Sequence, residues 1–419
     1  MRSLQGVNKV STVVVIELPG GNDTDLLKAL IDRGDDFIFV TADAKHYEAQ
    51  PEVWEFVSKA KQVVISEEFD LEKIIAAISQ HKSLDGLMCL VDIRIIEAAE
   101  IADHFGLPFL NIDSALMLRD KATVRQQLKN LGIEQPQFKL AVSNEDVAKA
   151  VAHIGLPCLI KPSDGYGSQN IVYLESEADL EPWITPIHDM LPSNTQYGLG
   201  VKANDRLLVE EFMVGQVIGC DTLTINGKHH LLGINEKRFF PPPSFAIEGG
   251  SFTPNQGQFA GVEAYVFDIL DAVFFNHGAA HIELKVTDHG LRLIEVNPRL
   301  VGAKIPRLIS YSLGVNIYDM LIDLHINKQV KFPQNVCGVA SSHWLTSDCS
   351  GTLAAVNLPE RIPAEIRCVE ILKKIGEPVR PPFENADRIG YVMACGNDYD
   401  LSERIAREFV ESTNVNVIE

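Results

Sequence analysis

The chain has 419 residues, which is too long for one ordinary hydrophobic core and predicts two or three domains. Hydrophobic residues make up 46% and charged residues 22% of the chain, a globular balance that excludes long disordered stretches. The 37 basic and 57 acidic residues give a formal net charge of −20. Such a surface repels phosphate backbones and anionic lipid, so we expect neither nucleic acid nor a membrane as a partner.

Cysteine usage and the N-terminal segment predict a cytoplasmic protein. The seven cysteines form no CxxC pair, and an odd number without a disulfide framework favours a reducing compartment. The N-terminal segment lacks a long apolar core followed by a small-residue cleavage site. No apolar run approaches the length of a membrane span.

Short apolar strands alternate with helical stretches in the first part of the chain. This pattern predicts a parallel sheet covered by helices on both faces, in a unit that ends near residue 112. The predicted strands are 12–18, 36–41, 62–66, 86–91 and 107–111, and the predicted helices are 23–33, 70–80 and 94–105. A dinucleotide site is a weak alternative here, because the first strand is followed by PGGND and not by GxGxxG.

The order of elements changes from about residue 113. We expect a single helix at 115–131, then strands and helices in alternation, and an ordered loop rich in Pro and Gly at 241–257. Further elements are predicted as strands within 207–239, a helix at 260–276 and strands at 279–287 and 291–297. The remaining residues, 326–419, predict a smaller α+β lobe.

Two glutamates in neighbouring apolar strands are the first candidates for chemistry. Glu283 in AHIELKV and Glu295 in LRLIEVNPR are separated by a DHG turn, so a hairpin would bring them together. Two adjacent buried carboxylates need cations, and oxygen ligands of this kind suit magnesium carrying phosphate oxygens. Asn297 adds a neutral oxygen ligand. The alternative is that these residues form the solvated face of an ordinary hairpin.

A lysine followed by a glycine-rich loop is the second candidate. Lys161 ends an apolar strand, and the loop 165–169 contains Gly165, Gly167, Ser168 and Gln169, whose backbone and hydroxyl donors can approach phosphate oxygens. The loop is not a Walker A motif, and a simple hairpin turn is the alternative.

Three further segments carry weaker signals. Lys121 lies in a helical stretch, where a solvated lysine is the alternative, and the strand end at Glu210, Glu211, Phe212 and Met213 offers backbone groups for an adenine edge or forms an ordinary edge strand. A zinc site at His277 and His281 is disfavoured because Gly278 breaks the helix between them. Serine-hydrolase chemistry lacks a GxSxG elbow.

Taken in chain order, these motifs resemble the ATP-grasp superfamily over residues 113–325. The resemblance implies an α/β protein with an ATP-grasp fold: an N-terminal parallel α/β domain at 1–112, an ATP-grasp domain at 113–325 with a mobile lid at about 155–212, and a small C-terminal α+β lobe at 326–419. It implies ATP and two magnesium ions, which manganese can replace, as cofactors.

The resemblance also implies a role for each candidate residue. Lys121 and Lys161 match the nucleotide lysines, the loop 165–169 matches the lid over the phosphates, and Glu210 to Met213 match the adenine hinge. Glu283, Glu295 and Asn297 match the metal ligands. Arg299 matches the arginine that faces the γ-phosphate and the acyl-phosphate. Val217 replaces the usual ribose-binding glutamate, which leaves Glu211 or Asp221 as candidates for that role.

Within the superfamily, NPRLVGAKIPRL and SFAIEGGSFTP resemble the dipeptide-forming amino-acid ligases of the dapdiamide-synthase type, which serve antibiotic biosynthesis. This implies that a carboxylate is activated as an acyl-phosphate and joined to an amine. Glu248 would hold a substrate ammonium and Arg299 or Arg307 a carboxylate, while Ser251 stands where such ligases often carry a histidine. A carboxylase, a small-molecule kinase or a nucleotide-binding protein without turnover remain alternatives. A homodimer is expected.

Overall fold

The computed structural model describes residues 10–165, 171–176, 206–241, 246–254 and 259–418. Strands in these ranges are β1 (Thr12–Ile16), β2 (Asp36–Thr41), β3 (Gln62–Ile65), β4 (Gly86–Cys89), β5 (Phe138–Ala141), β6 (Cys158–Pro162), β7 (Val172–Leu174), β8 (Leu207–Glu211), β9 (Gln216–Ile225), β10 (Lys228–Phe239), β11 (Ile247–Thr253), β12 (Gly278–Thr287), β13 (Gly290–Asn297), β14 (Val339–Leu345), β15 (Gly351–Asn357), β16 (Ile366–Ile371), β17 (Pro378–Val379), β18 (Gly390–Gly396) and β19 (Asn414–Ile418). The α-helices are α1 (Asp25–Arg33), α2 (Ala44–Glu48), α3 (Pro51–Val57), α4 (Leu71–Ile78), α5 (Ile95–Phe105), α6 (Ile112–Leu118), α7 (Lys121–Leu131), α8 (Asn144–Ile154), α9 (Val262–Ala272), α10 (Ile305–Leu313), α11 (Ile317–His325) and α12 (Tyr399–Glu411).

The first four strands form the predicted parallel sheet, in the order β3-β2-β1-β4. Alternate residues of β1 enter two different cores: Val14 packs with Ile74 and helix α5, and Val13 packs with α1 and α11. Both faces of the sheet are therefore buried, as its continuous apolar strands predict. The sheet's carboxyl edge carries the residues that follow β1 and β4, and this edge meets the segment after β13.

Two expectations for the following region are wrong. Residues 107–111 form no strand; the chain is held there by side chains, since Asn276 accepts a hydrogen bond from the Asn111 amide at 2.9 Å. The predicted helix at 115–131 is two helices, α6 and α7. Asp120 separates them because its carboxylate accepts from the Ala122 amide at 3.0 Å and caps a new helix. This break places Lys121 at the first position of α7.

A four-stranded antiparallel sheet, β5-β8-β6-β7, contains three strands of the region predicted as the lid, β6, β7 and β8, together with β5, which precedes that region. Its small core includes Val147, Val151 and Ile160, so α8 covers one face of the sheet. β6 and β8 are neighbours, with Leu159 opposite Glu210 and Lys161 opposite Leu208. The pairing brings the Lys161 strand and the predicted hinge strand side by side.

An eight-stranded sheet, β13-β12-β9-β10-β11-β14-β18-β16, forms the largest part of the structure. The predicted C-terminal lobe therefore continues the same sheet, since β14 pairs with β11 through Gly249 and His343. A separate three-stranded sheet, β17-β15-β19, lies beside it. The mixed α/β class is confirmed, whereas the predicted domain boundaries remain predictions.

The loop predicted at 241–257 is wrong for residues 247–253, which form β11. A Cβ on Gly249 would lie 2.2 Å from the Ser342 carbonyl oxygen, and one on Gly250 would lie 2.9 Å from that of Glu236. The glycines that suggested a turn instead permit close approach of the flanking strands.

Candidate active site

The two predicted metal-ligand glutamates are cross-strand partners. β12 and β13 pair antiparallel, with Glu283 opposite Glu295 and His281 opposite Asn297. The glutamate side chains keep 24% and 28% of their exposure, so both reach a surface that a ligand can enter. The predicted hairpin and its acidic pair are confirmed as geometry, while metal binding remains a prediction.

A different lysine contacts each glutamate. Lys237 on β10 places its Nζ 3.2 Å from Glu283 Oε1, and Lys121 on α7 places its Nζ 2.9 Å from Glu295 Oε1. Burial raises the pKa of Glu283, but His281 and Lys237 outweigh burial and hold it below its usual range. Glu283 is therefore ionised, and each of the two carboxylates has a lysine that compensates its charge.

A buried network supports Glu283 from behind. Asp221 accepts from Asn235 Nδ2 at 2.6 Å and lies 3.0 Å from His281 Nδ1. Burial lowers the pKa of His281, but Asp221 outweighs it and the pKa rises to about 9. His281 Nε2 lies 3.4 Å from Glu283 Oε1, at ion-pair distance but without hydrogen-bond geometry. Both Asp221 oxygens are thus engaged by protein groups, and Glu211 Oε1 likewise accepts from the Gln137 amide at 3.1 Å. The assignment of the ribose to either residue remains a prediction.

Gly219 makes room for this network. A Cβ at Gly219 would lie 2.4 Å from His281 Cε1 and 2.5 Å from Asn235 Oδ1. Only a glycine leaves both side chains in their places, so this position is restricted by packing and not by a turn.

The second predicted lysine belongs to a buried triad. Lys161 Nζ lies 2.6 Å from Glu210 Oε2, and Arg125 Nε lies 2.5 Å from Glu210 Oε1. Burial raises the pKa of Glu210, but Arg125 and Lys161 outweigh it and lower the pKa to about 2. Burial lowers the pKa of Lys161, which Glu210 only partly offsets. Arg125 also donates to the Ile294 carbonyl at 2.9 Å, which ties the triad to the strand of Glu295.

Lys121 reaches the start of the glycine-rich loop. Its Nζ donates to the Gly165 carbonyl at 2.5 Å, and its amide donates to the Ser163 carbonyl at 2.8 Å. Gly165 therefore lies beside the lysine that contacts Glu295. The other predicted loop residues, Gly167, Ser168 and Gln169, lie outside the described residues.

The predicted adenine hinge follows β8. The Glu211 amide donates to the Gln137 carbonyl and the Phe212 amide to the Pro157 carbonyl, both at 3.1 Å. Phe212 is exposed and stacks edge-on against Tyr173, with ring centroids 4.8 Å apart, while Met213 is half-buried. The side chain of Glu210 points into the triad, so any adenine contact there must use backbone groups. The hinge assignment remains a prediction.

Arg299 is held by the first lobe. Its Nε and Nη2 lie 2.7 and 2.5 Å from Asp92 Oδ2, and Nη1 donates to the Leu300 carbonyl at 2.9 Å. Asp92 follows β4 at the carboxyl edge of the parallel sheet. The Arg299 guanidinium is therefore held by a residue that lies 207 positions earlier in the chain.

Arg307 lies at a junction between lobes. It binds both Asp25 oxygens at 2.7 Å, and its Nη1 lies 2.6 Å from Glu370 Oε2 and from the Tyr391 hydroxyl. These contacts occupy its guanidinium with protein groups. Its role as a carboxylate-binding residue remains a prediction that this placement does not favour.

Glu248 and Ser251 lie on β11. The pairing of β10 with β11 shifts at Arg238–Phe239, which leaves Glu248 at a β-bulge. Ser251 is buried between Glu236 and Ser341. Because successive strand residues alternate faces, Ser251 lies on the sheet face opposite Lys237. Direct substrate contact is therefore better supported for Glu248 than for Ser251, and both roles remain predictions.

Three contributors to the site were absent from the sequence-based candidates: Arg125, Lys237 and Asp92. Asp221 and His281 were considered only for ribose and zinc, and not as the pair that supports Glu283. Lys237 carried only a partial signal: strand alternation puts it on the same face as Asn235, which was not itself a sequence-based candidate. Arg125 follows Lys121 by one helical turn, which was a second signal. The only sequence feature that pointed to Asp92 was its position directly after an apolar strand.

The donor set fits magnesium chemically: two carboxylates and an amide oxygen in adjoining strands. Within the described ranges, no group of three or more His, Cys, Asp or Glu side chains could hold a metal ion. The predicted set contains two glutamates and an asparagine, and needs phosphate or water oxygens to complete it. No helix in the part of the chain that the structure describes is long and apolar enough to cross a membrane.

Two family profiles match the chain. Residues 154–307 match the ATP-grasp domain, and residues 343–417 match the L-amino acid ligase C-terminal domain 2. The structure is similar to an L-amino acid ligase from Bacillus licheniformis, with TM-score 0.77, 18% identity and coverage of 98% of this chain and 99% of that one. It is also similar to phosphoribosylglycinamide synthetase from Anaerococcus prevotii, with TM-score 0.73, 15% identity and coverage of 97% and 100%. The predicted ATP-grasp fold is confirmed.

Relatives found by sequence are between 21% and 26% identical to this chain. An uncharacterised protein of Sinorhizobium fredii is 26% identical over 87% of this chain and 76% of its own length. The L-arginine-specific L-amino acid ligase of Bacillus subtilis is 21% identical over 60% of each chain. Dapdiamide A synthase of Enterobacter agglomerans is 22% identical over 51% of this chain and 50% of its own. The matched region thus spans half to three-fifths of the two relatives with a named activity.

Proposed function

Because the chain combines an ATP-grasp domain with an L-amino acid ligase C-terminal domain, we propose that it joins a carboxylate to an amine at the expense of ATP. Both substrates are amino acids or amino-acid derivatives, the amine being an L-amino acid. The observation that carries the proposal is the pair Glu283 and Glu295, in register on adjacent strands and contacted by Lys237 and Lys121. This is an arrangement of anions and cations suited to nucleotide phosphates and a divalent ion.

The proposed reaction has two steps. A carboxylate oxygen attacks the γ-phosphorus, the bond to the β,γ-bridging oxygen breaks, and ADP leaves. The amine nitrogen then attacks the acyl carbon, the bond from carbon to the phosphate-bearing oxygen breaks, and phosphate leaves with one oxygen of the original carboxylate. The nitrogen loses its proton to solvent or a protein base.

Some residues of the site supply positive charge to the phosphates, and others hold those charged residues in position. Lys121, Lys161 and Arg299 neutralise the charge that develops during phosphoryl transfer. The Arg125–Glu210 pair fixes Lys161, and Asp92 fixes Arg299. Magnesium, or manganese in its place, would be held by Glu283, Glu295 and Asn297 and, when bound, supplies positive charge beside the phosphates. Pre-set cations of this kind require little rearrangement as the reaction proceeds.

The acyl-phosphate must be kept from water. The predicted lid at about 155–212 performs this task in the proposal, because closure over the phosphates would exclude solvent. Lys121 joins the lid to the acidic hairpin in this structure, since one Nζ contacts both Gly165 and Glu295. We expect nucleotide binding to replace these contacts with phosphate contacts.

A product screen tests the proposal. Purified protein is incubated with ATP, magnesium and pairs of L-amino acids, and nucleotides, phosphate and condensed products are measured by chromatography and mass spectrometry. We expect ADP, phosphate and a product lighter than its two substrates by one water. A phosphorylated substrate would indicate a kinase, a carboxylated one a carboxylase, and binding of ATP without any turnover a nucleotide-binding protein. AMP and pyrophosphate as the main products would exclude the acyl-phosphate route.

Cytoplasmic location, a homodimer and a role in dipeptide or antibiotic synthesis belong to the same proposal. The cysteine pattern supports the location, and the likeness to the L-arginine-specific L-amino acid ligase and dapdiamide A synthase supports the role in synthesis. The homodimer is proposed from the resemblance to ATP-grasp enzymes. Size-exclusion chromatography with light scattering measures the oligomeric state directly.

A further inference from the structure

Asp92 uses only one of its two carboxylate oxygens. Oδ2 accepts from both Nε and Nη2 of Arg299, at 2.7 and 2.5 Å. Oδ1 is buried and has no hydrogen-bond partner among the described residues. Buried carboxylate oxygens are ordinarily hydrogen-bonded, so an unpartnered one beside a phosphate-facing arginine indicates a partner supplied by a ligand.

The location of Asp92 is also that of a ligand-binding residue. It stands just after β4, at the carboxyl end of the parallel sheet, where open α/β sheets bind their ligands. Its contact with Arg299 places it at the join between this edge and the segment after β13. Asp92 therefore lies beside the proposed reaction centre, although every site residue predicted from the sequence lies after residue 113.

The other carboxylates near this join are already paired. Asp25 has both oxygens on Arg307, and Asp23 contacts Lys304 at 3.2 Å. Glu283 and Glu295 are contacted by lysines and are the expected metal ligands. Asp92 Oδ1 is thus the acceptor that remains for a cationic donor next to Arg299.

We propose that Asp92 Oδ1 accepts a hydrogen bond from the amino group of the second substrate, while Oδ2 holds Arg299. The proposal rests on the ligase function proposed above and assigns the ligand as a primary ammonium group. The carboxylate binds the incoming ammonium group, which gives one proton to solvent or a protein base before its nitrogen attacks, while a remaining N–H keeps the hydrogen bond to Oδ1. The adjacent Arg299 guanidinium holds the acyl-phosphate toward the same point. One residue of the first lobe then aligns the nucleophile with its target.

The substitution Asp92→Asn tests the roles of the two carboxylate oxygens separately. The amide oxygen keeps an acceptor for Arg299, while the NH2 group replaces Oδ1 and cannot accept from an amine. We expect the KM for the amine substrate to rise at least about 10-fold, the scale of a lost hydrogen bond to a charged group. The KM values for ATP and for the carboxylate substrate should change much less than the KM for the amine. Asp92→Glu, which restores the charge, recovers part of the amine KM.

Hydroxylamine trapping isolates the first step. Hydroxylamine is largely uncharged at neutral pH and needs no ammonium acceptor, so hydroxamate formation in D92N should fall only as far as the weaker hold on Arg299 reduces it, and by much less than ligation falls. Asp92→Ala removes both contacts and should slow trapping as well. The control is Asp323→Asn, because Asp323 makes a comparable ion pair with Arg33 at 2.7 Å, and it should change neither quantity.

An unchanged amine KM in D92N overturns the proposal. Slower trapping in D92N, equal to its loss of ligation, also overturns it, because Asp92 would then act through Arg299 alone. If the unaltered enzyme gives no hydroxamate with any carboxylate substrate, the ligase function itself fails and this assignment falls with it. Thermal unfolding of each variant, compared with D323N, identifies any loss of fold.

Discussion

Glu283 and Glu295 face each other as cross-strand partners, and each is contacted by a lysine from a different element. Like charges directly opposite on a sheet destabilise it, so the pair persists because Lys237 and Lys121 compensate it. The same cations and anions would separate to receive magnesium and phosphate. The hairpin is therefore the point where metal, nucleotide and lysines meet in the proposed mechanism.

The first prediction concerns this pair. Glu295→Gln keeps the shape but removes a charge needed beside the phosphates, so turnover should fall by on the order of 10²- to 10³-fold, as for other groups that stabilise developing charge. The fold should stay intact. Steady-state ADP release at saturating magnesium and circular dichroism measure the two effects.

The matched control is Glu236→Gln. Glu236 precedes Lys237 on β10, lies on the opposite sheet face and accepts from Gln216 at 2.7 Å. Its substitution should leave turnover near that of the unaltered protein. Near-normal turnover in E295Q itself would mean that Glu295 is merely structural.

The second prediction concerns the buried triad. Glu210→Gln leaves Arg125 and Lys161 buried without their shared anion, which should cost about 3–5 kcal/mol in the free energy of unfolding. Urea denaturation measures this. Glu211→Gln, at the half-buried strand end, keeps an acceptor for the Gln137 amide and should cost less than about 1 kcal/mol. Equal, small losses for both would show that the triad does not stabilise the fold.

The third prediction concerns acid stability. His325 is buried, lies 5.7 Å from the His277 ring, and its Nδ1 lies 3.2 Å from the Pro108 carbonyl. Burial lowers the pKa of His325 to about 3. The folded state thus favours neutral His325, whereas the unfolded state binds a proton below about pH 6.5. The free energy of unfolding is therefore unaffected by this group above about pH 6.5 and decreases as the pH falls toward 3. About 2 kcal/mol should be lost by pH 5.

His325→Gln removes this titration and should flatten the fall in unfolding free energy between pH 7 and 5. His289→Gln, at the exposed β12–β13 turn, serves as the control and should keep the slope of the unaltered protein. Identical slopes for all three proteins would contradict the assignment.

The fourth prediction concerns Glu248. If the bulge presents this carboxylate to the amino-acid substrate that is activated, Glu248→Ala should raise the KM for that substrate at least about 10-fold and leave the KM for ATP unchanged. Initial rates with each substrate varied separately measure both. A KM that does not move, or an equal loss for ATP, would remove Glu248 from the site.

The sequence was sufficient for the acidic hairpin and for the strand of Lys161. A DHG turn between two apolar strands predicts the hairpin that brings the two glutamates together. Their direct pairing also depends on a β-bulge, because the register shifts between Glu283 and Leu284 and places Glu295 opposite Glu283. The first parallel sheet was predictable for a similar reason, since its strands are continuous apolar runs.

Contacts between distant residues were not predictable in this way. The Arg125–Glu210 pair spans 85 residues and the Arg299–Asp92 pair spans 207, so no local pattern contains them. β11 was missed because Pro and Gly ordinarily mark turns, whereas Gly249 is required there by the closeness of Ser342. Local sequence patterns predict helices and strands, whereas the roles of Gly249 and Asp92 depend on residues that only the tertiary structure brings beside them.

The transfer of oxygen from substrate to phosphate tests the central claim most directly. A carboxylate substrate labelled with ¹⁸O in both oxygens is turned over with ATP and the amine, and the released phosphate is analysed by mass spectrometry. Formation of an acyl-phosphate predicts one ¹⁸O atom in each phosphate, with ADP as the nucleotide product. Unlabelled phosphate, or ¹⁸O appearing in AMP, would contradict the account.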